Sequence, residues 1–160
     1  MRRNSSGISP VVATVILVAI AIVIAIAVAF WASGLVGVFT RFEKIEITSV
    51  YATPTGTTGN QYDITIIAKN TGSSSATVDK LLLNGVPICE SYANGTWGET
   101  GSAPTGFTID SCGNPTATAL NPGDQTQVTI TVTAPSAGIT VEVALHTASG
   151  KLYPYSVLLS

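Results

Sequence analysis

Hydrophobic and polar positions split this chain at about residue 40. From Val11 to Ala32 it reads VVATVILVAIAIVIAIAVAFWA, and Thr14 is the one polar residue in that run. At ~1.5 Å per residue these 22 positions span about 33 Å, enough to cross a ~30 Å hydrocarbon core. The run is apolar all round, so it has no face for water and belongs in lipid or inside a bundle. Its valines and isoleucines would suit a strand in water, but in lipid every backbone group must be satisfied within the segment, and that decides for helix. Ser9 is placed to cap the helix and Pro10 to occupy its first position, where a missing N–H costs nothing. Ser33, Gly34 and Gly37 weaken the far end, yet no proline follows before Pro54. The pattern therefore predicts one helix from Ser9 to about Arg41, roughly 50 Å long and more than a bilayer needs.

Past Arg41 the period changes to two. Val128, Ile130 and Val132 alternate with threonines, Ile139, Val141, Val143 and Leu145 alternate with Thr140, Glu142, Ala144 and His146, and Tyr62, Ile64 and Ile66 alternate with Asp63 and Thr65. Further strands are expected at Glu43–Tyr51, Thr77–Leu83, Val86–Tyr92, Phe107–Asp110 and Lys151–Leu159. Asn84-Gly85 is a two-residue hairpin turn, and Pro154 confines the last run to a sheet edge or a bulge. Seven or eight short strands of this kind predict an antiparallel β-sandwich, loosely immunoglobulin-like. The fold class is α+β, and the expected division is residues 1–7 as a leader, 8–41 as the hydrophobic helix and 42–160 as the sandwich.

Composition narrows the function. Only 10% of the 160 residues are charged, against about 25% in an ordinary soluble domain, and mean hydropathy is +0.44. No charge falls between Asn4 and Thr40. From Arg41 onward five basic residues face nine acidic ones, a balance that argues against nucleic acid. Thr and Ser supply 31 of these 120 residues, so hydroxyls replace charges on a surface suited to packing against copies or carrying glycans. Asn94-Gly95-Thr96 is an acceptor sequon.

Cys89 and Cys112 follow an export segment, so one disulfide in an oxidising space is expected, worth about 3 kcal/mol and pinning the loop Asn94–Gly106. Trp97 in that loop either touches a partner or packs over the sandwich edge. No metal or cofactor set is evident: His146 stands alone on an outward strand face, and one His with two distant Cys cannot complete a zinc site. Glu43 with Glu46, and Glu90, Glu99 and Asp110 near the cysteines, read as solvated surface charge rather than as a calcium site. No nucleophile-elbow, phosphate-loop or dinucleotide pattern occurs. The chain is expected not to be an enzyme.

The head leaves three readings open. A cleaved secretory signal has an apolar region of about 7–15 residues, shorter than this one. A plain signal anchor fits the length and flanks, with Arg2 and Arg3 keeping the N-terminus inside and the body outside. In the third reading the cut precedes the helix, within Ser6-Gly7-Ile8-Ser9-Pro10-Val11-Val12. On these residues the chain resembles the archaeal type IV pilins: a basic leader, a small residue at the cut, and a long apolar helix opening on Ile-Ser-Pro-Val. The resemblance covers residues 1–40. It implies that a prepilin peptidase cuts after Gly7, making Ile8 the mature N-terminus, and that an assembly machinery extracts the subunit from the membrane. One residue departs from the pattern, since Ser6 stands where a basic residue often precedes the small one. Unlike bacterial pilins, which place a glutamate five residues into the mature chain, this one has Val12 there.

The leading expectation is a pilin, with helices packing in the filament core through small residues such as Ala19, Ala21, Ala25, Ala27, Ala29, Gly34 and Gly37, and the sandwich outside, on the cell surface. The adhesion target is not legible. Two alternatives are a membrane-anchored extracellular binding module and a subunit of the archaeal motility filament, an archaellin. Pro10 after Ile8-Ser9 looks more like the adhesion-type pilins.

Overall fold

The computed structural model describes residues 10–39, 41–56, 59–91 and 96–160. The leader positions Gly7 and Ile8, the cap Ser9 and the sequon Asn94 lie outside them. Two compact units are present, residues 1–41 and 42–160. The described part of the first is a single helix, α1 (Pro10–Phe39), unbroken over 30 residues. The absence of Pro, Gly and Ser between Val11 and Ala32 leaves nothing to interrupt it.

The second unit is a two-sheet antiparallel sandwich, the α+β architecture expected from the pattern. Its strands are β1 (Ile45–Pro54), β2 (Gln61–Asn70), β3 (Ala76–Leu83), β4 (Val86–Ser91), β5 (Trp97–Glu99), β6 (Thr108–Cys112), β7 (Ala119–Leu120), β8 (Gln125–Thr133), β9 (Ile139–Thr147) and β10 (Leu152–Leu159). One sheet runs β1-β2-β8-β6, the other β10-β9-β3-β4-β5, with β7 paired to the start of β3. Alternation sets the faces: Ile64, Ile66, Ile130 and Val132 of the first sheet and Leu81, Leu83, Val141 and Leu145 of the second point inward and form one core. Threonines take the other face of β8, where Thr65 and Thr129 share a hydrogen bond (3.1 Å) and Thr131 donates to Asp63 (2.7 Å).

Asn84 (φ 49°) and Gly85 (φ 79°) both adopt the left-handed backbone that joins β3 to β4, the conformation an Asn-Gly hairpin requires. Pro154 lies on β10, a sheet edge, where no ladder bond is lost. Two short strands, β5 and β7, were not expected. The first corrects the reading of Asn94–Gly106 as loop: residues 97–99 pair back onto β4, Ser91 opposite Trp97. Three residues carry too weak an alternation to announce a strand, and the pairing comes from the neighbouring β4.

Candidate assembly helix and its sandwich

Thirty residues at ~1.5 Å make α1 about 45 Å long. It is long and apolar enough to cross a membrane. Its side chains from Pro10 to Gly37 are exposed on every side, Ile22 by 54% and Trp31 by 69%. Apolar surface in such quantity is unfavourable in water by about 25 cal/mol per Å², so the helix calls for an apolar environment. Its two hydroxyls are already satisfied inside the helix: Thr14 donates to the Val11 carbonyl and Ser33 to the Ala29 carbonyl, each at 2.8 Å. Neither asks anything of a surrounding lipid or helix. Ala21, Ala25, Ala29, Ser33 and Gly37 recur every four residues and form one row along an i, i+4 ridge, where a neighbouring backbone can approach closely.

The cysteines form a disulfide, Cys89–Cys112, with Cα atoms 6.0 Å apart. Its position corrects the expectation that it pins a surface loop. Cys89 belongs to β4 and Cys112 ends β6, so the bond staples one sheet to the other, with Cys89 fully buried. A bulge places it there. Leu81 faces Cys89 and Leu82 faces Pro87, which leaves Ile88 unpaired and lets Ile88 and Cys89 both bury. Trp97 packs into the core at 7% exposure, which removes it as a partner contact.

His146 is on the outward face of β9 as expected, but it is not alone. Its Nδ1 meets the Asp79 carboxylate at 2.5 Å, because a second bulge between Val78 and Lys80 frees Asp79 from the ladder. The bulge is invisible to a period-two pattern, so this partner could not be read from sequence. Glu90 pairs with Lys80 (3.5 Å), and Asp110 accepts from Thr133 (2.7 Å) and Gln61 (3.0 Å). Among the described residues, no three of His, Cys, Asp and Glu gather into a metal-holding group.

No protein-family model and no curated protein matches the chain. Among solved structures it is similar to the archaellum periplasmic stator protein FlaG from Sulfolobus acidocaldarius, with 21% identity, 72% of this chain and 99% of that one covered, and a TM-score of 0.42. It is also similar to the archaeal flagellum of Methanospirillum hungatei strain JF1, at 19% identity, 96% and 94% coverage and a TM-score of 0.46. A third likeness is to the Vibrio cholerae VesB protease, at 15% identity, 71% and 32% coverage and a TM-score of 0.38. At these values the likenesses assign neither a family nor a function.

Proposed function

We propose that this chain is a structural subunit, a pilin, that polymerises into an extracellular filament through α1 and is not an enzyme. The observation that carries the reading is α1 itself: about 45 Å of helix, exposed all round, with both hydroxyls satisfied internally. Before assembly the helix resides in the membrane. Transfer from lipid into a bundle of identical helices gains little hydrophobic energy, because lipid tails are as apolar as leucine. Close packing along the row Ala21 to Gly37 supplies the gain, and an assembly machinery supplies the extraction. In this reading a prepilin peptidase cuts between Gly7 and Ile8, Asn94 carries a glycan, and the threonine-faced sandwich lines the filament surface.

A monomeric surface-binding module would need only the anchor, without the surplus helix length or a cut ahead of the helix. Electron microscopy and mass spectrometry of purified surface filaments test the proposal. Filaments containing this chain as the repeating subunit are expected. Recovery of the chain solely as a dispersed membrane protein, under conditions in which the cells carry filaments, would overturn it. The same preparation separates an adhesive pilus from a motility filament by whether loss of the chain abolishes attachment or swimming.

A further inference from the structure

Helix α1 is longer than the layer it is read as crossing. Its 30 residues make about 45 Å, and a hydrocarbon core is ~30 Å thick. Submerging the whole helix would take a tilt of about 50°, beyond the ~0–40° at which spanning helices stand. One end of α1 therefore stands outside the hydrocarbon, and three observations along the helix identify it.

The first is the start at Pro10. The amides of Val11, Val12 and Ala13 have no carbonyl four residues behind them in the helix, so this turn keeps to the level of water and headgroups. The second is the position of the aromatic residues. Between Pro10 and Val38 the helix has two, Phe30 and Trp31, side by side. Twenty residues at ~1.5 Å carry the chain about 30 Å, so from a boundary at Val11 the opposite boundary falls at Trp31. Both rings are exposed, Phe30 by 76% and Trp31 by 69%. An indole joins a broad apolar body to one N–H donor, which hydrocarbon cannot satisfy and headgroup oxygens can. The third is the composition beyond them. Ser33, Gly34 and Gly37 follow at once, and no serine or glycine stands between Pro10 and Ala32.

On the reading of α1 as membrane-borne before assembly, we propose that Phe30 and Trp31 fix the register of the helix in the bilayer. They dock in the headgroup–acyl boundary, the hydrocarbon takes the residues between Val11 and Phe30, and the turns from Ser33 onward stand clear of it. The anchor is an uncharged aromatic pair, so neither the charge of the headgroups nor salt moves it. The register also sets Ser33, Gly34 and Gly37 where a loosened carbonyl meets water or a headgroup instead of an acyl chain. The stretch of α1 with the weakest ladder is thus the stretch that lipid does not cover.

The test places the full chain in phosphatidylcholine vesicles whose acyl chains carry bromine either near the headgroup or near the bilayer centre, and reads tryptophan fluorescence. Trp97 is packed in the sandwich core, so quenching by bromine reports Trp31, and Trp31→Phe should abolish it. Shallow bromine should quench several-fold more than deep bromine, with the same ratio when phosphatidylglycerol is added or salt is raised. Equal or stronger quenching by deep bromine overturns the proposal and leaves a membrane-borne helix standing in another register. A ratio that follows headgroup charge or salt also overturns the uncharged anchor. Carbonate extraction of the same vesicles checks integration: a chain that washes off contradicts both the register and the membrane-borne reading beneath it.

Discussion

Asn70 is the polar residue on which the entry end of the sandwich turns. It is fully buried, its Nδ2 donates to the carbonyls of Ser74 (2.8 Å) and Leu120 (2.9 Å), and its Oδ1 accepts from the Gly72 amide (2.9 Å). The bond to the Leu120 carbonyl is the buried one, and the Gly72 amide also donates to the Lys44 carbonyl (3.1 Å), so Asn70→Ala chiefly removes a donor from the Leu120 carbonyl. A loss of about 1–3 kcal/mol is expected in chemical unfolding of the intact chain, the cost of one buried polar group left unsatisfied. Asn70→Asp should also destabilise, because a carboxylate cannot donate to either carbonyl. At the inter-sheet staple, peptide mapping without reductant should recover Cys89 crosslinked to Cys112, and a Cys89→Ser/Cys112→Ser chain should be less stable by about 3 kcal/mol. Two alkylatable thiols in native filaments would contradict the bond.

For α1 the decisive quantity is charge in an apolar bundle. Ile22→Glu should abolish polymerisation while the sandwich still folds, because an unpaired carboxylate there costs several kcal/mol and no Lys or Arg lies between Arg3 and Arg41 to pair with it. Electron microscopy of the variant, with the cysteine crosslink as the check of folding, reads out both halves. In the filament α1 should stay helical from Val11 through Ala32, and any bend should fall at Ser33-Gly34 to Gly37. Those are the first positions where glycine and a back-bonding serine weaken the ladder. A filament map at side-chain resolution settles this, and an extended stretch within Ala13–Val28 would mean that packing overrides local sequence.

At the scale of the whole molecule the chain divides into two units, and the proposed function gives that division measurable consequences. Mass spectrometry of the filament subunit should show loss of Met1–Gly7, a mature chain starting at Ile8 and an intact helix. A subunit beginning at Met1, or after Ala29, would reject a cut ahead of the helix. The fragment Arg41–Ser160, which carries the whole sandwich core, should fold and form no filaments. Filaments grown from it alone would favour strand exchange between sandwiches.

Sequence alone determined the features that depend on local periodicity. Apolar residues on every side of residues 11–32 required a helix in an apolar setting, alternation at Tyr62–Ile66, Gln127–Thr133 and Ile139–His146 required strands, and Asn84-Gly85 required the tight turn. Tertiary structure decided whatever depends on which strand lies beside which. Bulges at Asp79 and Ile88 shift the pairing by one residue, and a single-residue shift exchanges inward for outward. That is why Asp79 finds His146, and why Ile88 and Cys89 both bury. Sheet order, which no periodicity encodes, placed β4 and β6 in opposite layers and turned a pair of cysteines 23 residues apart into an inter-sheet bond.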